Sequence, residues 1–236
     1  MKDNRTLSVC IPTWNRYELT KELVESIVDY PFITEIVVCD DASTDGSYEK
    51  LRDFSFYHPK VKLYKNEKNI DCYFNKRQAA FHATNEYICL IDSDNKFPKE
   101  YFDAIFAQKW KEDVILAPNF LKPAFDFRMW SDLTLTKENI AQYANTSVVD
   151  TGCNAMNFFI NRTKYLEIWD GSINPGTFDS LYFSYCWLKA GNKIHITPNM
   201  QYEHKLHEDK SNHFSTHQHK YTGFFTELMN KIKQLR

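Results

Sequence analysis

Two aspartates stand two residues apart at Asp92-Ser93-Asp94, directly after the apolar run Tyr87-Ile88-Cys89-Leu90-Ile91. In an extended segment, side chains two apart share a side, so both carboxylates can face one pocket at the end of that run. Hard cations such as Mg²⁺ and Mn²⁺ take oxygen ligands, and Mg²⁺ is commonly held by one or two carboxylates together with substrate phosphates. The spacing suits a metal diphosphate site, although the same triplet also occurs in surface turns. A second acidic pair, Asp40-Asp41, follows Ile36-Val37-Val38-Cys39. A carboxylate there can accept hydrogen bonds from a base N–H or a ribose hydroxyl, or can sit in a solvated turn.

The elements that must position these groups are legible in the first half. Short apolar runs at residues 7–11, 35–40, 61–65 and 87–91 alternate with amphipathic stretches at 17–29, 47–54 and 72–83. Runs of four to six residues rich in Val, Ile and Cys match buried parallel strands, and Leu19, Leu23, Ile27 and Val28 fall at helical spacing. The pattern is βαβαβαβ, an α/β fold with a mostly parallel central sheet flanked by helices. Such sheets bind ligands outside the carboxyl ends of their strands. Those ends carry Pro12-Thr13-Trp14-Asn15-Arg16, then residues 40–47, then Asp92-Ser93-Asp94-Asn95. Each loop has a local explanation, since Asp45-Gly46 makes a turn and Ser43, Thr44 or Ser47 can cap a helix. Convergence of all three on one edge points to a site.

The second half is less regular. Residues 113–117, 154–160 and 193–197 have strand character, and a helix over 178–190 ends at Gly191, which suits a left-handed cap. Residues 120–150 show no clear period. The stretch 221–236 puts Phe224, Phe225, Leu228, Ile232 and Leu235 at helical spacing among Lys231, Lys233 and Arg236. That stripe suits packing on the protein or lying on an anionic membrane surface. With no repeat or linker, one continuous domain of two halves, 1–118 and 119–236, is expected.

Composition narrows the function. The chain has 236 residues, 43% hydrophobic and 25% charged, with a net charge of −2. It is long enough for a core without disulfide staples, and its charge balance argues against a nucleic-acid partner bound by bulk charge. No apolar stretch reaches the roughly 18 residues of a membrane span, and the polar start lacks the pattern of a signal peptide, so a cytoplasmic protein is expected. The six cysteines form no C-x-x-C pair, which suggests neither a zinc site nor a disulfide framework. Cys10, Cys39 and Cys89 sit inside apolar runs, as small buried hydrophobes do. Only six glycines are present, and neither G-x-G-x-x-G nor a P-loop occurs. A nucleotide must be held by other means.

Three segments together resemble the successive signatures of family 2 glycosyltransferases: residues 7–16 (LSVCIPTWNR), 36–46 (IVVCDDASTDG) and 85–95 (NEYICLIDSDN). The resemblance covers roughly the first 118 residues and continues faintly through 152–162, Asp179, 187–194 and 202–211. It implies the GT-A fold and transfer of a sugar, with inversion, from a nucleoside diphosphate donor, UDP above others, to a hydroxyl of a glycan or lipid-linked acceptor in surface polysaccharide or lipopolysaccharide synthesis. By resemblance, residues 1–118 form the nucleotide-sugar-binding half and 119–236 the acceptor-binding half. Pro12, Thr13, Asn15 and Asp41 would line the nucleoside pocket, Lys76 or Arg77 would supply a cation near the nucleotide, and Asp92 and Ser93 would approach the ribose. Asp94 would ligate Mn²⁺ or Mg²⁺, with a histidine completing the shell, His207 first and His204 second. Asp179 falls where the family places its general base, although the frequent Glu-Asp pair reads Asp179-Ser180 here; an acid in a first helical turn is also favourable for the helix alone. The alternatives are a nucleotidyltransferase, for which the glycine-rich basic loop is missing, and a non-catalytic glycan- or nucleotide-binding module of the same fold. Peripheral membrane contact through the C-terminal stripe is compatible with a lipid-linked acceptor.

Overall fold

The structure, a computed structural model, describes residues 4–154, 157–205 and 213–235, the last segment with side chains from 223 onward. Ten strands run in chain order: β1 (Leu7–Thr13), β2 (Ile33–Asp40), β3 (Val61–Lys65), β4 (Tyr87–Leu90), β5 (Asn95–Lys96), β6 (Val114–Lys122), β7 (Phe125–Asp126), β8 (Thr134–Leu135), β9 (Phe158–Asn161) and β10 (Lys193–His204). The α-helices are α1 (Tyr17–Ile27), α2 (Ser47–Phe56), α3 (Cys72–His82), α4 (Lys99–Phe106), α5 (Ile140–Tyr143), α6 (Ser147–Asp150), α7 (Arg162–Ile168), α8 (Asp179–Lys189) and α9 (His213–Lys233).

All ten strands join one sheet in the order β3-β2-β1-β4-β9-β6-β10-β5, with β7 on β6 and β8 on β10. The first four pair in parallel, as do β6 and β10, whereas β9 runs antiparallel to both β4 and β6. Period-2 alternation explains why these strands are apolar throughout. Val9, Ile11, Ile36, Val38, Cys89 and Ile91 enter a core layer shared with α1 and α4. Cys10, Val37, Cys39, Ile88 and Leu90 enter the opposite layer, against α3, α8 and α9. Each fully buried aliphatic side chain contributes roughly 1.5–3 kcal/mol, so covering both faces commits the sheet to a three-layer stack.

The sheet has a switch point between β1 and β4, since β2 lies on one side of β1 and β4 on the other. Pro12 sits there. Its missing N–H faces the β4 side, but β4 pairs only with Ser8, Val9 and Cys10, and Ile91 makes the last bond, its N–H donating to Cys10 O at 3.1 Å. A proline is tolerated because no ladder bond is due at that place, and the two strands part to open a crevice.

In the second half the strand expected over 113–117 continues to Lys122. The one expected over 154–160 is confined to Phe158–Asn161, and β10 runs on past 197 to His204 with a register break between Thr197 and Gln201. That break, where Asn199 adopts φ 62°, lets one strand span the sheet and deliver His204 to the functional edge. In α9, Leu228, Met229 and Ile232 are buried, and Phe225 packs on Phe178 with ring centroids 5.1 Å apart. The apolar stripe is thus used against the protein over the described side chains. Among the described residues, no helix is long and apolar enough to cross a membrane. All six cysteines are free thiols, and burial, aided by Asp41 and Asp40, pushes Cys39 up to about 12.

Gly191 adopts φ +85° after α8, with open space where a Cβ would stand. Only backbone strain opposes a side chain there. Gly191→Ala should therefore lower unfolding free energy by about 1–2 kcal/mol, and Gly191→Asn by less. Urea titrations of the three proteins check this; equal midpoints would refute it.

Candidate active site

The first two loops are locked to each other before any ligand arrives. Asn15, in the left-handed region at φ 53° that asparagine tolerates, donates its N–H to Ser43 Oγ at 2.8 Å, while its Oδ1 accepts the Thr44 N–H at 2.8 Å. Thr13 is buried, its hydroxyl 2.8 Å from that of Thr20. Asp40 closes its turn by accepting the Ser43 N–H at 2.9 Å. Asp41 accepts from Asn66 Nδ2 at 2.8 Å and from the Ile70 N–H at 3.0 Å, and Asn66 also bonds Asn75 Oδ1 at 3.0 Å. Burial raises both aspartates above the usual carboxylate range, and these hydrogen bonds work against the rise.

Beyond β4 the backbone turns at once, with the Asn95 N–H donating to Asp92 O. Strand alternation therefore does not set the two carboxylates, contrary to the reading from spacing. The turn sends Asp92 toward α3 and Asp94 toward the first loop and the end of β10. Asp92 Oδ1 lies 3.0 Å from Lys76 Nζ, and the same ammonium lies 2.8 Å from Asp179 Oδ2. Asp94 Oδ2 accepts from Arg16 Nη1 at 2.9 Å, and Asp94 Oδ1 is 4.0 Å from His204 Nδ1. Asp179 opens α8 and is 7% exposed, its Oδ1 accepting the Ser180 N–H at 2.7 Å. Ser93 is buried within the turn.

Three carboxylates and two cations thus gather from four segments. Burial raises the Asp92 carboxyl, Asp94 and Asp179 add to this, and Lys76 opposes it. For Lys76 burial disfavours charge, but Asp179 and Asp92 outweigh it and hold the ammonium protonated well above its ordinary range.

The edge presents carboxylate and imidazole donors, the types that a divalent ion such as Mn²⁺ accepts. His204 Nδ1 faces Asn95 Oδ1, an acceptor, at 2.9 Å. Asp94 Oδ1 stands 4.0 Å from the same nitrogen, so the imidazole and the carboxylate share one corner of the edge. Among the described residues no three His, Cys, Asp or Glu side chains form a closed cluster. Were Asp94 and His204 to hold an ion, the other positions would fall to phosphate and water, as in Mg²⁺ sites. His207 lies outside the described residues.

Of the two candidate cations, Lys76 enters the carboxylate cluster, whereas Arg77 lies over the Trp169 ring at 5.1 Å. Three participants escaped the sequence reading. Arg16 stands in the first loop, where nothing local in the sequence points to Asp94 as the group it meets. Asn66 follows β3 directly, so the rule applied to the other strand ends would have found it. Asn157, buried just before β9, accepts the Asp92 N–H through Oδ1 at 2.5 Å; its only signal was an amide beside an apolar run.

Comparison with known proteins agrees with this architecture. WcaA of Escherichia coli (strain K12), named for colanic acid biosynthesis, is 30% identical over 112 residues, 46% of this chain and 39% of that protein. TuaG of Bacillus subtilis (strain 168), named for teichuronic acid biosynthesis, is 27% identical over 96 residues, 40% of this chain and 38% of the relative. The chain thus aligns with under two fifths of either relative's length. Among solved structures, S. aureus TarS 1-349 in complex with UDP-GlcNAc superposes with a TM-score of 0.71 at 21% identity, covering 96% of this chain and 65% of TarS 1-349. The mannosyltransferase PcManGT from Pyrobaculum calidifontis, in complex with GDP-Man and Mn²⁺, gives 0.66 at 17% identity, covering 99% and 70%. The fold is GT-A. Residues 8–166 match the model described as Glycosyl transferase family 2, and the chain belongs to that family.

Proposed function

We propose that this chain transfers a sugar, with inversion, from a nucleoside diphosphate donor to a hydroxyl of a glycan or lipid-linked acceptor in surface polysaccharide or lipopolysaccharide synthesis. The observation that carries this reading is the meeting of Asp92, Asp94 and Asp179 with Lys76 and Arg16 at the switch-point edge of the sheet. UDP is the donor nucleotide we favour, in keeping with the UDP-GlcNAc complex of TarS.

The roles follow from position. Pro12, Thr13, Asn15 and Asp41 line the nucleoside end, where the first two strands finish. Asp92 and Ser93 meet the ribose, and Lys76 stands between them and the base. Asp94 and His204 would hold a divalent ion, which would supply Lewis-acid neutralisation of charge on the departing diphosphate. Asp179 takes the proton as the acceptor O–H bond breaks. The acceptor oxygen bonds the anomeric carbon, and the bond from that carbon to the diphosphate oxygen breaks with its electron pair leaving on the nucleotide. No side chain forms a covalent bond with the sugar.

Asp179→Asn should lower transfer by about 10²- to 10⁴-fold, the usual contribution of a positioned base, while nucleotide binding persists. Release of UDP from a panel of UDP sugars with Mn²⁺ measures this, and unchanged turnover would remove Asp179 from the mechanism. Detection of UMP plus a sugar phosphate instead would mark nucleotidyl chemistry.

Asp94→Ala should abolish the part of UDP-induced thermal stabilisation that depends on Mn²⁺. A ligand at 100 times its Kd stabilises by about 2.7 kcal/mol, so the lost shift is readily measured. An Mn²⁺-dependent shift equal to that of the unaltered protein would exclude Asp94 as a ligand.

A further inference from the structure

Asp179 is poorly disposed to act as a base in the arrangement described. Its Oδ1 accepts the Ser180 N–H at 2.7 Å and lies 3.3 Å from the Ser180 hydroxyl, and its Oδ2 is 2.8 Å from the Lys76 ammonium. Both carboxylate oxygens are thus already engaged by groups of the protein. The group that engages it is, however, one able to move. Lys76 sits one turn into α3 on a flexible four-carbon stem with three donors, and Asp92 holds the same ammonium at 3.0 Å. Its charge can therefore leave Asp179 without being stranded. Asp92 lies at the end of β4, within the turn that also carries Asp94. An anion arriving at that turn competes with Asp179 for the one ammonium the two carboxylates share.

We propose that Lys76 is a positioning residue that couples the donor to the base. Without donor, its ammonium is committed to Asp179 and Asp92; the diphosphate draws it away from Asp179, so that Asp179 Oδ2 is released to meet an acceptor hydroxyl only when a donor is in place. The coupling rests on the assignment of Asp179 as base and of a nucleoside diphosphate as donor. It favours donor binding before acceptor deprotonation, and it restrains the base from activating water in an empty site.

Linkage makes this testable by binding alone, because two groups that compete for one ammonium oppose each other reciprocally. Calorimetric titration with UDP and Mn²⁺ should give Asp179→Asn roughly tenfold tighter binding than the unaltered protein, within the span of couplings between neighbours in one charged network. Lys76→Met should bind UDP more weakly, and adding Asp179→Asn to it should give no further gain. Lys76→Arg should keep the coupling. An Asp179→Asn chain that binds UDP no tighter overturns the proposal, and this arm does not depend on Lys76→Met folding. Tightening of equal size with and without Lys76 also overturns it, since that is general relief of negative charge. If neither UDP nor GDP binds the unaltered protein, the donor assignment falls, and the coupling with it.

Discussion

Gathering like charges at a half-buried edge is the constraint from which the rest of this molecule follows. Carboxylates removed from bulk water are costly unless paired and hydrogen-bonded, and Asp92, Asp94 and Asp179 come from two segments far apart in sequence. Their cations come from two others: Lys76 from α3 and Arg16 from the loop after β1. Losing one partner of such a buried pair leaves an uncompensated charge, which is worse than having neither. The cluster therefore binds α3, α8, the β4 turn and the first loop into one body. The second loop is fastened to that body through Asn15, Ser43 and Thr44, and the segment after β3 through Asn66 and Asp41.

The topology supplies the meeting place. Parallel strands finish at one edge, so the residues after β1, β2, β3 and β4 arrive together without special arrangement. The antiparallel β9 contributes its beginning rather than its end. Leu90 pairs with Phe158, so the residue before β9, Asn157, stands beside the turn after β4 and takes the Asp92 N–H. After α7 the chain enters α8 with Asp179 in its first turn, and β10, parallel to β6, ends at the same edge with His204. A single antiparallel insertion thus lets the second half of the chain complete a site that the first half begins.

That division explains what could be seen in the sequence. The first half was legible because two simple signals coincided: continuous apolar runs, forced by burial on both faces, and polar residues clustered where each run stops. Gly191 was legible because a left-handed backbone position has few chemical solutions. β9 was misplaced because a four-residue strand among buried aromatics has no periodicity of its own. Its boundary is set by the register with β4, a long-range fact. The pairing of Lys76 with two aspartates lay out of reach for the same reason. Helical spacing tells which face of α3 a residue occupies, but not which carboxylates that face meets.

The fold leaves the choice of nucleotide to side chains. TarS was solved with UDP-GlcNAc and PcManGT with GDP-Man, on frames that superpose on this one about equally. What distinguishes donors must then lie in groups attached to the shared frame. In this chain the edge where β1 and β2 finish is tied down: Asp41 is buried and bonded to Asn66 and Ile70, and Asn15 is fixed by both of its neighbours in the second loop. Groups already held in place lose little entropy on binding and discriminate by shape and hydrogen-bond fit. The part of the edge around α3 and α8 is built differently, with the long side chain of Lys76 between two carboxylates. On the proposed roles, a tied-down frame would tell nucleosides apart while the shared Lys76 ammonium would time the reaction, which are the separate demands of the two ends of a donor site.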